Sequence, residues 1–282
     1  MRAPTPTLQR LLCCLSASHL VIPWIDRVIA VGSRANHSCS ASVKMDKKLK
    51  KRPFKVSIEG NVGCGKSTLI DYFKQFPEVD ACPEPVAEWR NFHGHNLLHL
   101  LYSDPDKWNF PFQHNVQLSR LKLQTKDTDK AVQIFERSLQ NNRHCFVEMA
   151  HDEGVLTDPE YTAMCEWYSW IENNMDIGLD LIVYLRSSPE IVYERMCRRA
   201  RPEEKPVSLE YLTVLHEAYE KWLMQTDPAS LPAPVLVLDV NQDLPYVSKL
   251  YQMYENYILG KQTVPKHCDN VFSNVGTQSV TV

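Results

Sequence analysis

Length, composition and charge describe an ordinary globular chain. It has 282 residues, of which 44% are hydrophobic and 23% are charged, and its formal net charge is −3. That length fits one α/β domain with extra terminal segments, and that charge gives no electrostatic reason to expect a nucleic acid or a membrane as a partner. None of the nine cysteines forms a C-x-x-C pair, which argues against a zinc ribbon and for reduced thiols inside a cell.

The first 44 residues have a composition of their own. They are rich in serine and threonine, and basic residues are frequent while Asp26 is the one acidic residue. This composition predicts a mitochondrial transit peptide over residues 1–44, followed by a basic linker over 45–52. The uncharged stretch 11–25 is too short to span a bilayer. A secretory signal is the less favoured alternative, and a translation start at Met45 would instead leave the protein cytoplasmic or nuclear.

Short apolar segments alternate with helical patterns along the rest of the chain. The first predicted strand begins at Phe54, and the later ones cover residues 79–82, 144–149, 179–185 and 234–240. Helical spacing follows the first strand at Leu69, Ile70, Phe73 and Phe76. Further helices are predicted around 112–142, 160–175, 189–200 and 208–225.

This alternation predicts the fold class. Strands separated by helices form parallel sheets, and strands that are apolar throughout are covered on both faces. We therefore predict an α/β domain over residues 53–260, with a five-stranded parallel sheet flanked by helices. The weak periodicity of residues 261–282 predicts a disordered tail.

Residues 60–67, in the stretch SIEGNVGCGKST, match the phosphate-loop pattern G-x-x-x-x-G-K-[ST]. Backbone N–H groups of such a loop bind phosphate oxygens, its lysine reaches the β- and γ-phosphates, and its serine ligates Mg²⁺. Cys64 lies inside the loop, and we interpret it as a tolerated small residue rather than a regulatory thiol. The predicted nucleotide-binding residues of the loop are Gly60, Asn61, Val62, Gly63, Cys64, Gly65, Lys66, Ser67 and Thr68.

The loop alone does not say where the terminal phosphate goes. The chain has no N-K-x-D tetrad and no D-x-x-G switch, so a GTPase is not favoured. An ATPase motor would need an acidic residue at the end of an apolar strand. Asp239 fits that pattern, although a strand-end turn residue is the favoured interpretation. Transfer of phosphate to a bound acceptor is the remaining class.

Three sites with charged residues are candidates for binding or activating the molecule that accepts the phosphate. Glu84 follows the second predicted strand, at the edge of the sheet where ligands bind, and could accept a hydroxyl proton. Glu136 and Arg137 are adjacent in FERS, and the arginine-rich stretch 198–204 could close over a triphosphate. The alternatives are a solvated loop glutamate, an exposed ion pair and a solvated helix end, respectively.

The order of these motifs resembles the deoxyribonucleoside kinase family over roughly residues 53–258. The stretches that carry the resemblance are EGNVGCGKST, EPVAEWRNFHGHN, PFQ, ERS, LIVYLRSSPE, RRARPEE, LEYL and LDVNQD. YSDPDKWNFPFQ is most similar to the insect broad-specificity and mitochondrial thymidine kinase branches. The resemblance implies a P-loop kinase fold with an arginine-rich lid, a homodimer, and Mg²⁺-dependent transfer of phosphate from ATP to the 5′-hydroxyl of a deoxynucleoside.

The resemblance also assigns roles to residues of the donor side and the reaction centre. Glu84 resembles the base that acts on the 5′-hydroxyl, Arg137 the arginine that assists it, and Lys66 the catalytic lysine. Ser67 and Glu136 resemble the Mg²⁺ ligands, which makes Asp239 a weaker candidate. The residues that resemble donor-binding groups outside the phosphate loop are Arg199, Arg201, Asn241 and Asp243.

The substrate pocket is assigned in the same way. Tyr102 and Glu204 resemble the pair that binds the 3′-hydroxyl, Gln113 the amide that reads the base, and Phe146 the ring stacked on it. The complete predicted set is Glu84, Trp89, Tyr102, Phe112, Gln113, Val116, Arg120, Arg137, Asn142, Phe146 and Glu204.

Base preference is where the chain departs from the family pattern. Arg120 and Asn142 stand where thymidine-phosphorylating relatives tend to have Met and Ala, and Met149 and Ala150 also differ from the usual residues. If Arg120 and Asn142 face the pocket, they predict broad specificity that includes deoxycytidine and thymidine. A nucleoside monophosphate kinase and a non-catalytic nucleotide-binding protein are the alternative functions.

Overall fold

A computed structural model of the protein describes residues 52–201 and 204–263. The predicted transit peptide over 1–44, all but the last residue of the predicted linker, and the tail from residue 264 lie outside the described residues. Those expectations therefore stay predictions. None of the helices in the described part of the chain combines the length and the apolar character that a membrane crossing requires.

Five parallel strands form the centre of the domain. They are β1 (Phe54–Glu59), β2 (Val79–Cys82), β3 (Val132–Glu136), β4 (Leu181–Arg186) and β5 (Val235–Asp239). Their spatial order is β2-β3-β1-β4-β5, and each neighbouring pair is parallel. Because helices cover both faces of such a sheet, its strands are apolar throughout rather than alternating. The predicted α/β fold with a five-stranded parallel sheet is confirmed.

Helices connect the strands and cover the sheet. They are α1 (Lys66–Phe73), α2 (Val86–Arg90), α3 (Leu97–Ser103), α4 (Pro105–Gln124), α5 (Leu139–Asn141), α6 (Glu148–Asp152), α7 (Asp158–Asn174), α8 (Pro189–Arg199), α9 (Leu209–Glu220) and α10 (Leu244–Ile258). Helix α1 buries Leu69, Ile70 and Phe73 against the core, as their spacing predicts. The predicted helices around 160–175, 189–200 and 208–225 correspond to α7, α8 and α9 with its π-helical extension Lys221–Gln225.

The structure corrects one strand and one helix. The predicted strand at 144–149 is wrong, because those residues belong to a helical segment in which the π-helix Asn142–Val147 joins α5 to α6. The predicted helix around 112–142 is also wrong in its second half, because α4 ends at Gln124 and β3 follows it. Both errors have one cause: a buried apolar run of four to six residues looks the same in a strand and in a helix.

Candidate active site

A large cavity opens at the carboxyl ends of the central strands. Its volume is about 1270 Å³, which exceeds the range of about 300–1,000 Å³ that is usual for one small ligand. Its walls come from the segment between β1 and α1, from α4, from the segment after β3, and from the residues that follow α8 and β5. A cavity of this size has room for a phosphate donor and an acceptor together.

Most of the predicted site residues meet in this cavity. Every one of them lines it except Gly60, Asn61 and Asn142. Gly60 and Asn61 begin the phosphate loop, and the Asn61 amide nitrogen donates to the Leu212 carbonyl (2.8 Å), which ties the loop to α9. Asn142 is completely buried behind the cavity wall. It contacts the cavity only indirectly, through its hydrogen bond to Gln113.

The phosphate loop has a positive φ at Gly60, at Gly63 and at Gly65 (103°), and at the first two a side chain would also clash with its surroundings. Gly60 has a φ of 140° and Gly63 a φ of 84°. A Cβ atom on Gly60 would lie 2.6 Å from the Leu185 carbonyl oxygen, and one on Gly63 would lie 2.8 Å from that of Val192. The loop therefore packs against β4 and α8 so closely that a larger residue would displace it.

Lys66 begins α1 and lies inside the loop. Its ammonium donates to the carbonyl oxygens of Gly60 (3.1 Å) and Asn61 (2.7 Å). Burial lowers its pKa, and the charge of Arg137 acts in the same direction. The N-cap residue of α1 is Gly65, which has no side chain to cap the helix, so the first N–H groups of the helix are available to an anion. A cation and a helix N-terminus thus meet where the motif predicts phosphate.

Glu84, two residues after β2, lies between two guanidinium groups. Arg137 Nη1 donates to both of its carboxylate oxygens (3.0 and 2.9 Å), and Arg120 Nη2 donates to Oε1 (2.8 Å). Burial alone would raise the pKa of Glu84, but the charges of Arg137, Arg120 and Lys66 outweigh it and lower the pKa to about 2. The carboxylate is therefore ionised at neutral pH and surrounded by cations.

Arg137 owes its position to an unusual backbone. It follows β3 directly and has a φ of 61°, in the left-handed region that non-glycine residues rarely adopt. Its N–H donates to the Ile58 carbonyl (3.0 Å), which extends the pairing of β1 and β3 by one residue. Strain of this kind persists where the surrounding structure over-determines it, and it is frequent at functional sites.

A hydroxyl and a carboxylate meet beside the phosphate loop. Ser67 Oγ donates to Glu136 Oε1 (2.8 Å), because the first turn of α1 lies next to the end of β3. Mg²⁺ prefers oxygen ligands and usually takes only one or two from the protein, with phosphates and waters completing its shell. This pair fits such a site.

Aromatic rings form another part of the cavity wall. Trp89 and Phe112 meet edge to face, with ring centroids 5.7 Å apart, and pack with Val116. The Phe146 ring lies 5.2 Å from the Arg137 guanidinium and 5.9 Å from that of Arg120. Aromatic faces of this kind suit a flat apolar ligand, and Glu84 lines the same cavity.

A pair of hydrogen-bonded amides lies at this aromatic pocket: Gln113 lines the cavity, and Asn142 lies behind it. Asn142 Nδ2 donates to Gln113 Oε1 (2.6 Å), and both side chains are buried. Gln113 therefore has a fixed orientation in which its Nε2 donors face away from Asn142. A ligand with a polar edge could pair with that amide.

Comparison with known proteins places this site in a family. The chain matches the sequence model of the deoxynucleoside kinase family over residues 56–264. The chain belongs to the deoxynucleoside kinase family. It is therefore a phosphotransferase with a nucleotide donor and a deoxynucleoside acceptor, and the prediction drawn from the order of the motifs is confirmed.

Individual relatives are similar over most of their length. The kinase is 38% identical to mitochondrial thymidine kinase 2 of Homo sapiens, over 76% of this chain and 80% of that protein. It is 37% identical to deoxycytidine kinase 2 of Gallus gallus, over 71% of this chain and 86% of that protein. It is 35% identical to deoxycytidine kinase of Homo sapiens, over 67% of this chain and 84% of that protein.

The predicted lid arginines of the kinase contact the predicted sugar-binding carboxylate. Arg199 donates to Glu204 through Nη2 and through Nε (3.3 Å), and Arg201 Nη1 lies 3.6 Å from Glu204 Oε1. Tyr102 lines the same cavity, and burial raises its pKa, so its hydroxyl stays protonated. The groups proposed for the donor phosphates and for the sugar are thus directly paired.

The side chains predicted near the donor base have structural partners in the kinase. Asn241 Oδ1 accepts from Ser187 Oγ (3.0 Å) and from the Ser188 N–H (2.9 Å). Asp243 caps α10 by accepting from the Tyr246 N–H (3.1 Å). Asp239 accepts from the Asn241 N–H (2.9 Å), which is the strand-end turn that the sequence favours for it. These side chains shape the loop after β5, which lines the cavity.

Sequence reasoning missed several buried polar groups around Glu84. Glu59 Oε1 accepts from the N–H (3.0 Å) and the hydroxyl (2.7 Å) of Ser138, which fixes the start of α5, and burial raises its pKa. Asn141 and Tyr219 contact the two arginines directly. Glu59 and Ser138 lie within the quoted motifs EGNVGCGKST and ERS, but no local pattern in the sequence distinguishes Tyr219 from an ordinary core tyrosine.

Proposed function

We propose that this kinase transfers the γ-phosphate of ATP to the 5′-hydroxyl of deoxynucleosides, with a broad base preference that includes deoxycytidine and thymidine. The observation that carries the proposal is the ionised Glu84 between the phosphate loop and the aromatic pocket. A nucleoside monophosphate kinase would bind a phosphorylated acceptor at that point, where a carboxylate would repel it.

The hydrogen bonds of Glu84 leave room for a hydroxyl. A carboxylate has about four lone-pair sites, and the two arginines occupy three of them. The remaining site would accept the 5′-hydroxyl and take its proton. A pKa of about 2 makes Glu84 a weak base, which suits a loose transition state in which little charge develops on the attacking oxygen.

The donor side is proposed to neutralise the moving phosphoryl group. Ser67 and Glu136 would hold Mg²⁺, which would offset the negative charge of the donor phosphates. Lys66 and the N–H groups of the loop would bind the β- and γ-phosphates. Arg199 and Arg201, which contact Glu204 in the structure, would turn to the donor phosphates and leave Glu204 to pair with Tyr102 at the 3′-hydroxyl.

One substrate panel tests the proposed reaction. Purified enzyme with ATP and Mg²⁺ is assayed on the four deoxynucleosides, on their 3′-deoxy analogues, and on AMP and dTMP. We expect transfer to deoxycytidine and thymidine, loss with the 3′-deoxy analogues because buried polar groups lose their partner, and none to the monophosphates. Efficient phosphorylation of AMP or dTMP would overturn the proposal.

Base preference is proposed to depend on Arg120 and Gln113. The Gln113 amide offers a donor and a second acceptor lone pair, so it could pair with cytosine or thymine. Arg120 brings a guanidinium to the wall beside Phe146, and burying a thymine methyl against a polar group gains little. Deoxycytidine should therefore be at least as good a substrate as thymidine, with some activity on purines.

The double substitution Arg120→Met with Asn142→Ala tests this preference. It should raise the thymidine-to-deoxycytidine ratio of kcat/KM, by about 10–200-fold at most, the usual value of a methyl-sized change in a pocket. Arg120 also contacts Glu84, so turnover on both substrates should fall and only the ratio is informative. Asn142→Ala alone leaves that contact intact and serves as the control. An unchanged ratio in the double variant would contradict the hypothesis.

Location in mitochondria is also proposed. Mitochondrial thymidine kinase 2 of Homo sapiens carries the location in its name, and the basic, acid-poor composition of residues 1–44 supports it here. A reporter fused to these residues should enter mitochondria. A diffuse cytosolic or nuclear signal would instead favour a start at Met45.

A homodimer is the proposed assembly. Trp167 and Trp170 of α7 are 42% and 51% exposed, and their rings stack with centroids 5.4 Å apart. Large stacked rings on a surface are typical of an interface. Sedimentation velocity should give the mass of two chains, and the mass of one chain would refute the dimer.

A further inference from the structure

The two arginines that contact Glu84 belong to a closed ring of hydrogen bonds. Arg120 Nη1 donates to Asn141 Oδ1 (3.1 Å), and Asn141 Nδ2 donates to the Tyr219 hydroxyl oxygen (3.0 Å). Arg137 Nε donates to the same hydroxyl oxygen (3.2 Å). The contacts of both arginines with Glu84 close the ring.

The ring has a single arrangement of donors and acceptors. A guanidinium only donates, so the Asn141 oxygen must face Arg120 and its nitrogen must face Tyr219. Burial raises the pKa of Tyr219, so its hydroxyl is neutral and can accept from two donors. Asn141 and Tyr219 are completely buried, and no rearrangement could replace their bonds with bonds to bulk water.

Each arginine is consequently fixed on two sides. Glu84 binds one side of both guanidinium groups, while Asn141 and the Ser138 carbonyl (3.0 Å) bind Arg120 on its other nitrogen. Tyr219 binds Arg137 through Nε, at the opposite side of the guanidinium from Glu84. Without Asn141 and Tyr219, Arg120 would keep only the Ser138 carbonyl on that side, and Arg137 only a longer contact from Nη2 to the Gly60 carbonyl (3.3 Å). The planar groups would then be held less firmly against the carboxylate.

We propose that Asn141 and Tyr219 are positioning residues for phosphoryl transfer, because they hold both arginines in the orientation that leaves one acceptor site of Glu84 directed at the acceptor hydroxyl. The inference rests on the proposed role of Glu84 as base. Neither residue touches the reacting atoms, so their effect passes through Arg120 and Arg137.

Tyr184 provides a matched control for Tyr219. The two rings stack with centroids 5.7 Å apart, and Tyr184 is as deeply buried. The Tyr184 hydroxyl donates to Glu220 Oε1 (2.9 Å) and takes no part in the ring. Tyr184→Phe and Tyr219→Phe therefore remove the same group from neighbouring positions of one core.

The first experiment compares these two variants. Both should lose thermal stability to a similar extent, as the loss of a buried hydrogen bond requires. Tyr219→Phe should also lose about 10–100-fold in kcat, the scale of a small misplacement of catalytic groups, with a smaller change in deoxynucleoside KM. Tyr184→Phe should retain kcat within about threefold. Equal kcat values in the two variants would overturn the inference.

The second experiment asks whether Asn141 and Tyr219 act as one unit through the ring. If they do, Asn141→Ala combined with Tyr219→Phe should lose little more kcat than the worse single variant, because residues that act as a unit are not additive. If the kcat losses of the two single variants multiplied in the double variant, the residues would make two separate structural contributions. That result would contradict their joint positioning role. Asn141→Ala also provides an independent test should Tyr219→Phe fold poorly.

The pH profile supplies a readout that core damage would not change. Nearby arginines lower the pKa of Glu84, so loosening them should raise it. The acid limb of kcat/KM should therefore move to higher pH in Tyr219→Phe and Asn141→Ala, and stay in place in Tyr184→Phe. If the acid limb of kcat/KM stayed in place in both Tyr219→Phe and Asn141→Ala, the result would contradict the inference.

The outcome for Glu84 itself separates this inference from the proposed function. If Glu84→Gln retained normal kcat, the assignment of the base would fail and the ring would lose its purpose. If Glu84→Gln were inactive while Tyr219→Phe and Asn141→Ala retained full turnover, the base would stand and only the positioning role would fall.

Discussion

Glu84→Gln is expected to lose about 10²–10⁴-fold in kcat, the usual contribution of a general base, while deoxynucleoside KM changes much less. Glutamine keeps the length and shape of the side chain but cannot take a proton. It also places an NH₂ group against Arg120 or Arg137, since both carboxylate oxygens accept hydrogen bonds from these arginines. Steady-state kinetics with deoxycytidine or thymidine measure both parameters.

Two controls make this result interpretable. Removing a charge from a buried ion cluster is destabilising by about 3–5 kcal/mol, so thermal unfolding must show that Glu84→Gln is folded at the assay temperature. Glu84→Asp retains the charge but withdraws the carboxylate by one methylene, and should have intermediate kcat. A Glu84→Gln enzyme with intact kcat and raised KM would make Glu84 a binding group instead.

Lys66→Ala is expected to abolish phosphoryl transfer. The substitution removes the cation of the phosphate loop, which would otherwise neutralise the transferring phosphate. It also removes one of the donors to the carbonyls of Gly60 and Asn61. A transfer assay with labelled ATP and a saturating deoxynucleoside measures the loss.

Lys55 is the matched control for Lys66. It is a buried lysine in β1 whose ammonium also donates to two backbone carbonyls, those of Gln124 (2.8 Å) and Asp176 (2.9 Å), and it does not line the cavity. Lys55→Ala should therefore lose stability but retain turnover wherever it is folded. Near-normal turnover in Lys66→Ala would show that the donor site has been assigned incorrectly.

Much of the fold was predictable because its signals are local. The glycines and lysine of residues 60–67 identify a phosphate loop whatever surrounds them, and the flanking strand and helix follow from spacing over a few residues. The order of short motifs was sufficient to predict the family and the fold. The strand at 132–136 was missed because buried residues continue directly after it over 137–142, and burial alone does not distinguish a strand from a helix.

The candidate site was predictable residue by residue but not as a set of contacts. The sequence determined that Glu84, Arg137 and Lys66 occur in recognisable motifs. Only the tertiary structure decided that Arg120 contacts Glu84, across 36 positions of sequence, and that Asn142 contacts Gln113, across 29. The pairing of Asn141 with Tyr219 spans 78 positions. Such contacts depend on how α4, α9 and the segment after β3 pack on the sheet, and no pattern within one segment encodes the orientation of its neighbour.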